Sequence, residues 1–223
     1  RLGVILLAWL VLPALAASLQ AQIDATPAGG TLRLAPGSYV GPVTIGKPMT
    51  LDGGGKAHID GQQRESVLRV RANSATIRGL ILTGSGDSHD RVDSAIVVEG
   101  HYNRIEDNHI EDVLFGITLH ASNHNVVARN FIRSRPVDLA DRGDGLRLWY
   151  STGNRIEGND IAQIRDVTIS NSPRNRYVGN RIRDSRRAMN FLFAGRSLVE
   201  DNDLQYNATG LTILNSDGII IRR

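Results

Sequence analysis

Asparagine recurs at intervals of about 22 residues along this chain, and this repeat limits the possible folds more than any other feature. Five six-residue segments share an apolar or tyrosine residue at the third position and asparagine at the sixth. The closing asparagines are Asn108, Asn130, Asn159, Asn180 and Asn202, separated by 22, 29, 21 and 22 residues. Such a repeat predicts a solenoid, because a single unit cannot bury its apolar side and must stack on its neighbours.

Within each repeat, short alternating segments predict strands that lie parallel and in register. An aliphatic residue stands two positions after each closing asparagine, and segments such as Gly116-Ile117-Thr118-Leu119 follow. We predict an all-β fold: a single-stranded, right-handed parallel β-helix with three strands per coil and asparagine at one corner. Ile105 then lies under Val127, and Val127 under Ile156. The low aromatic content of 5% suits a narrow aliphatic interior.

The corner asparagines are interpreted as a structural ladder. Stacked amides can bond to one another and to the turn backbone, and asparagine tolerates the left-handed conformation that a sharp corner needs. We prefer this reading to a polar binding track along the corner.

The chain divides into a leader and one elongated domain. Residues 1–21 combine a basic first residue, an apolar run and small residues around Ala16, which is typical of a cleaved signal peptide; an uncleaved anchor is the alternative. Residues 22–70 carry Pro-Gly and Gly-Gly turns and form the cap and first coils of the 22–223 domain, and residues 71–223 form the asparagine-cornered coils. We find no C-terminal cap pattern and expect a β-helix truncated at that end.

Composition excludes some classes of site and partner. The chain contains no cysteine, so disulfides and thiolate metal sites are excluded. Charges of both signs alternate along the strands, which indicates a solvated surface and no nucleic-acid partner.

Two insertions break the period, at residues 84–92 and 135–142. Insertions in a solenoid project from one face, which is often the binding face.

Outward positions of the third strand supply the candidate site. Successive coils align His120 with Trp149 and, two residues earlier, Thr118 with Arg147. Trp149 and Tyr150 beside Arg147 and Asp144 form an aromatic and charged cluster in an aromatic-poor chain. Such residues anchor protein or sugar contacts. We therefore predict that Asp144, Arg147, Trp149 and Tyr150 bind a partner or ligand, with strand propensity as the alternative explanation.

The metal-binding prediction is open. Four histidines lie close in sequence, at His101, His109, His120 and His124, and His109 and His120 are the candidate ligands. Solvated surface histidines are the alternative. Met189 falls in an inward-facing column and is expected in the core.

Two other functional classes remain open. A carbohydrate-active enzyme, such as a polysaccharide lyase, a hydrolase or a mannuronan epimerase, needs an acid and a base flanking a sugar. The segment from Asp87 to Asp93 has suitable residue types but no second carboxylate column beside it. We assign no catalytic residue and do not expect an enzyme. A solenoid with a purely structural role is the third class.

The stretch from Arg142 to Ser151, Arg-Gly-Asp-Gly-Leu-Arg-Leu-Trp-Tyr-Ser, followed by Gly-Asn-Arg-Ile-Glu-Gly-Asn, resembles the NosD family. The resemblance implies a periplasmic β-helix that serves maturation of the copper enzyme nitrous oxide reductase. It implies docking on an ABC transporter (NosF and NosY), receipt of copper from the lipoprotein NosL, and delivery to the apo-reductase.

The chain departs from that family in its late coils. NosD chains usually have His-Tyr-Met-Tyr-Ser where this chain has Asn190-Phe191-Leu192-Phe193-Ala194, and a second Met-Tyr-Ser where it has Leu214-Asn215-Ser216. Soft Cu(I) favours thioether and imidazole ligands. Copper is the metal that the resemblance implies, but these coils lack the ligands expected for it.

Overall fold

The computed structural model describes residues 17–223 and confirms a parallel β-helix with three strands per coil. In chain order the elements are α1 (Leu19–Ala25), β1 (Thr31–Arg33), β2 (Gly37–Val40), β3 (Val43–Ile45), β4 (Thr50–Asp60), β5 (Leu68–Val70), β6 (Thr76–Thr83), β7 (Ser94–Val98), β8 (Arg104–Glu106), β9 (His109–Val113), β10 (Phe115–His120), β11 (Val126–Ala128), β12 (Phe131–Ser134), a 3₁₀ helix (Leu139–Asp141), β13 (Leu146–Trp149), β14 (Arg155–Glu157), β15 (Asp160–Ala162), β16 (Asp166–Ser170), β17 (Arg176–Val178), β18 (Arg181–Arg183), β19 (Arg187–Leu192), β20 (Leu198–Glu200), β21 (Asp203–Gln205), β22 (Thr209–Leu214) and β23 (Ile220–Arg222).

The strands form two parallel sheets. Sheet A has 15 strands and contains the first and second strands of the coils, which are continuous in β4 and β6. Sheet B has eight strands and contains the third strand of each coil, from β3 to β22. Both sheets bury one face against the other, which explains the alternation of buried and exposed residues along each strand.

The interior is a set of aliphatic columns. Ile105 pairs in register with Val127, Val127 with Ile156, and Ile156 with Tyr177, and all four are at most 1% exposed. Met189 lies opposite Leu211 and is 1% exposed, so the expectation that it belongs to the core is confirmed. A buried aliphatic side chain contributes roughly 1.5–3 kcal/mol, and stacking in register supplies this burial in every coil.

The five closing asparagines form the predicted ladder. The backbone N–H of Asn130 donates to Oδ1 of Asn159 at 2.9 Å, and Nδ2 of Asn130 donates to the same oxygen at 3.0 Å. Asn159 makes the same pair of bonds to Asn180. Each Nδ2 also donates to a first-strand carbonyl of the preceding coil, as Asn159 does to Val127 at 2.9 Å. Every polar atom of these buried amides therefore has a partner.

A second ladder follows the corner that leads into the first strand. Its members are Asn103, Asn125, Asn154 and Asn175, each at most 1% exposed. The backbone N–H of Asn125 donates to Oδ1 of Asn154 at 2.8 Å, and Nδ2 to the same oxygen at 3.0 Å. The repeat therefore carries two amide ladders, and the repeat pattern predicted a structural role only for the one formed by the closing asparagines.

The left-handed residue of the corner is not the asparagine. Asp107, Arg129, Gly158, Gly179 and Asp201 have φ between 52° and 63°, and each immediately precedes a closing asparagine. The expectation that asparagine itself takes the left-handed conformation was wrong, because the amide must point inward to reach the neighbouring coils. The residue before it makes the turn, which explains why glycine stands there twice.

Helix α1 covers the open end of the first coils. Ser18 caps it by accepting a hydrogen bond from the Ala21 N–H at 3.2 Å, and Leu19 and Ile23 are 3% and 1% exposed. The predicted leader of residues 1–21 therefore overlaps this helix at its last three residues, while residues 1–16 lie outside the described part of the chain. Among residues 17–223, no helix is long and apolar enough to span a bilayer.

Replacement of Asn159 by leucine tests the ladder. The variant removes the oxygen that accepts from the buried N–H of Asn130 and the donor to Val127. Leaving such groups unpaired costs roughly 1–3 kcal/mol. Urea unfolding should therefore show a free energy of unfolding lower by that amount. Thr209→Leu, at an exposed strand position, is the control and should change little. Equal effects of the two substitutions would contradict a structural ladder.

Candidate functional site

The outward face of sheet B carries the candidate residues in the predicted columns. Thr118 lies opposite Arg147, and Arg147 opposite Thr168. His120 lies opposite Trp149, and the column continues through Ser170, Leu192 and Leu214. The register therefore confirms the alignment of the two columns, and it places Arg147 and Trp149 side by side with three coils following them.

Both insertions lie at the same corner, between the second and third strands. One joins β6 to β7 and the other joins β12 to β13. They touch each other across the intervening coil: Nε2 of His89 lies 3.2 Å from the carbonyl oxygen of Asp141, and the His89 ring meets Phe115 edge-on. The insertions therefore border the outward face of sheet B along one side.

A first cleft of about 300 Å³ lies between this border and the strands. Its walls include Arg91, His120, Arg147 and Trp149. The Arg147 guanidinium lies 5.5 Å from the centre of the Trp149 ring, within cation–π range, and Tyr150 packs edge-on against Trp149 at 5.4 Å. Tyr150 is 58% exposed. This cleft therefore offers aromatic surface and positive charge together.

Asp144 is fixed by its two glycine neighbours. A Cβ at Gly143 would clash with the carbonyl oxygen of Leu114, and one at Gly145 would lie 2.8 Å from Cγ2 of Ile164. The Leu114 backbone at Gly143 and the Ile161 and Ile164 side chains at Gly145 therefore favour glycine on both sides of Asp144. The Asp144 carboxyl, 9% exposed, lies with one oxygen 3.6 Å from Nη1 of Arg147.

Burial raises the pKa of Asp144 to about 6, since desolvation of the carboxylate outweighs the hydrogen bond from Thr168 and the charge of Arg147. The nearby charge of Asp166 raises the pKa further. Asp144 is therefore a carboxyl group that takes up a proton just below neutral pH.

The structure adds a charged cluster that the sequence analysis missed. Asp166, with its side chain 4% exposed, accepts a hydrogen bond from Nε of Arg186 at 3.0 Å and a close one from its Nη2. Together with Asp144, Arg147, Arg165 and Arg187, these residues line a second cleft of about 290 Å³. Their position in the repeat could have indicated this cluster. Asp166 and Arg187 each stand seven residues after a closing asparagine, and they are register partners.

The candidate metal ligands do not meet. His109 lies on sheet A, stacked on Phe131 and 3.1 Å from a Glu111 oxygen, whereas His120 lies on sheet B in the first cleft. At the corners, Nδ1 of His101 accepts a hydrogen bond from the Asn123 N–H, and the His124 ring stacks on the Tyr102 ring. Within residues 17–223 no group of three or more His, Cys, Asp or Glu residues is placed to hold a metal ion.

The segment from Asp87 to Asp93, which has the residue types that an enzyme would need, uses one of its carboxylates to stabilise the loop itself. Asp93 is 1% exposed, pairs with Arg91 and accepts a hydrogen bond from the Ser88 N–H at 3.1 Å. Asp90 lines the first cleft. The loop therefore contributes one accessible carboxylate to the cleft and uses another to hold its own shape.

Comparison with known proteins supports the resemblance read from the sequence. A family model described as periplasmic copper-binding protein (NosD) matches residues 129–223. The chain is 29% identical over 164 residues to a probable ABC transporter binding protein NosD of Pseudomonas aeruginosa, covering 70% of this chain and 38% of that protein. It is 29% identical over 137 residues to a protein of the same description from Stutzerimonas stutzeri, covering 60% and 31%. The chain thus spans about a third of the length of these relatives.

Solved structures share the fold at low sequence identity. An alginate lyase from Paenibacillus sp. str. FPU-7 superposes with a TM-score of 0.56 and 17% identity, covering 92% of this chain and 72% of the lyase. Identity this low shows a common β-helix architecture and nothing further about activity.

The buried carboxyl group gives a pH-dependent prediction. A pKa raised by folding means that the folded state binds the proton more tightly than the unfolded chain. Asp144 therefore favours folding at low pH, and this contribution is lost as pH rises towards and through 6. Ionised, it costs on the order of 2–3 kcal/mol.

Asp144→Asn should therefore be more stable than the wild type at pH 7.5, and the difference should shrink towards pH 4. Thermal unfolding of both proteins across this range measures it, and titrating groups that do not interact with Asp144 contribute equally to both. A stability difference that does not change with pH would contradict the assignment.

Proposed function

We propose that this chain is a periplasmic NosD-type accessory protein that works with an ABC transporter in the maturation of nitrous oxide reductase. The similarity to NosD proteins supports the general role. The observation that carries the finer proposal is the outward face of sheet B, where half-buried Arg147 and Trp149 line a cleft and exposed Tyr150 lies next to them, beside two insertions. Arginine, tryptophan and tyrosine are the residues most enriched at binding hot spots.

In this proposal the chain is a docking scaffold. Its partners are the transporter subunits of the NosF and NosY type, the copper lipoprotein of the NosL type and the apo-reductase. The face of sheet B is rigid, because its strands are paired on both sides through the coils. A rigid, preformed surface reduces the entropy lost when a partner binds.

Copper is the cargo of this pathway, and the side chains of the described coils do not suit it. The thioethers of Met49 and Met189 are buried in the core, at 2% and 1% exposure. The candidate histidines lie on different sheets. We therefore propose that the partners hold the copper ion and that this part of the β-helix brings them together.

A carbohydrate-active enzyme is the second candidate. Asp144 favours it, because a general acid must still hold its proton near neutral pH. Sugar hydrolysis needs a second carboxyl group flanking the bond, and the nearest one, Asp166, is held by Arg186. Incubation with alginate tests the lyase and hydrolase forms of this candidate, since either would generate new chain ends and a docking scaffold would not.

The docking proposal predicts that the sheet B face is needed for capture of partners. Tagged protein recovered from the periplasm should retain the transporter subunits or the apo-reductase. Arg147→Ala combined with Trp149→Ala should reduce recovery at least about tenfold, as expected when two hot-spot residues are lost. Arg155→Ala combined with Arg176→Ala, at exposed positions on sheet A, is the control. Equal recovery from both variants, or protein found only in the cytoplasm, would contradict the proposal.

The copper proposal predicts weak binding. In competition with a Cu(I) chelator, the chain should bind the ion no more tightly than separate surface histidines do. A variant with alanine at His101, His109, His120 and His124 should differ little from the wild type. Tight stoichiometric binding that disappears in the variant would show that the histidines form a copper site after all.

A further inference from the structure

The second cleft on sheet B contains more positive charge than its own carboxylates neutralise. Four arginines line it: Arg147, Arg165, Arg186 and Arg187. Two carboxylates, Asp144 and Asp166, face them. Arg186 binds Asp166 through two nitrogens, so this pair is already satisfied. Among the described residues that line the cleft, Asp144 and Asp166 are the only carboxylates available to the other three guanidinium groups.

These three guanidinium groups keep unused donors. Nη1 of Arg147 lies 3.6 Å from Asp144, and Nη1 of Arg187 lies 3.6 Å from Asp166, both beyond hydrogen-bond distance. Among the ion pairs and hydrogen bonds of residues 17–223, the Arg165 side chain takes no part. Each guanidinium has five N–H donors in a planar fork, which matches a carboxylate in two-point contact.

The polar residues between the arginines complete the lining. Thr168 and Asn190 are register partners on adjacent strands of sheet B and both line this cleft. The side-chain oxygen of Asn190 is buried and has no hydrogen-bond partner within the described residues. Buried polar atoms are nearly always paired, so an unpaired one beside a cleft indicates a place for a ligand.

Arg147 lines both clefts, so the two lie next to each other along the face of sheet B. The combined groove runs along the solenoid axis from Arg69 on β5 to Asn190 on β19 and crosses six strands of sheet B. At a strand spacing of about 4.8 Å this is roughly 24 Å, the length of about seven residues of extended chain. A single small anion would fill only one end of it.

We propose that this groove binds an acidic, extended segment of a protein partner, with Arg165 and Arg187 contacting its carboxylates and Trp149 packing against its side chains. The inference rests on the proposed docking function and specifies the chemistry of the partner. The length of the groove, its excess of guanidinium groups and the aromatic residues at its centre all favour a peptide over a lone ion.

A fluorescein-labelled hexaglutamate peptide tests the groove directly by fluorescence anisotropy at low ionic strength. Wild-type protein should bind it saturably, and added salt should weaken binding. Arg165→Gln with Arg187→Gln should reduce affinity about tenfold or more. The matched control is Arg155→Gln with Arg176→Gln, which removes the same charge from exposed positions on sheet A. Its affinity should stay within about twofold of the wild type.

Each variant should remain folded, because neither Arg165 nor Arg187 donates a side-chain hydrogen bond to the described residues. Thermal unfolding of each variant checks this. Absence of saturable binding by the folded wild type, or equal losses in the two double variants, overturns the inference. So does competition by inorganic phosphate at the same concentration as peptide, which would indicate a small-anion site, or by alginate, which would indicate a polysaccharide groove. Partner capture that persists while the peptide fails to bind would overturn this inference alone and leave the docking function standing.

Discussion

The paired hydrogen bonds from one asparagine to the next are the interaction on which the asparagine-cornered coils depend. In each step a backbone N–H and a side-chain N–H share one amide oxygen, while the same side chain donates to a strand carbonyl of the preceding coil. The corner backbone would otherwise carry buried N–H groups without partners, which cost more than the hydrogen bonds themselves contribute. Because the amides fix the distance and register between coils, the aliphatic columns beneath them meet in line.

This constraint falls on two of the three corners and leaves the third free to vary. The corner between the second and third strands ranges from the single residue Leu114 to an insertion that contains a 3₁₀ helix. Both insertions lie there, so the sheet B face acquires a border while the asparagine corners remain regular. Arg147 and Trp149 stand on the strand that follows the insertion at residues 135–142. The fold therefore combines a frame of regular asparagine corners with a sheet B surface that is free to differ from coil to coil.

The sequence predicted the frame well because a periodic pattern repeats the same information five times. The positions of Ile105, Val127 and Ile156, and the outward columns through Arg147 and Trp149, are all confirmed by the register. The prediction that the corner asparagine takes the left-handed conformation was wrong. Conformational propensity alone does not show which side chain at the corner must point inward.

The arginine-lined groove was not predicted, because its contacts join residues from different coils. A shift in register between Asp166 and Thr168 moves β19 relative to β16, so counting positions from the asparagines does not give the orientation of each side chain. The raised pKa of Asp144 could not be predicted from the sequence either. It depends on the burial of the carboxyl group between two closely packed glycines. Such properties follow from the packing of residues that are distant in sequence.

The central claim is that a rigid, asparagine-locked frame presents sheet B as the surface that partners bind. Hydrogen–deuterium exchange of the protein, alone and with the apo-reductase or the transporter subunits, tests it most directly. The corner amides of Asn130 and Asn159 should exchange slowly in both states, because they are buried and bonded. Binding should slow exchange in residues 87–93, 136–145 and 150–152, which border sheet B. Slowed exchange confined to the exposed edges of sheet A, or fast exchange at the corner asparagines, would contradict the account.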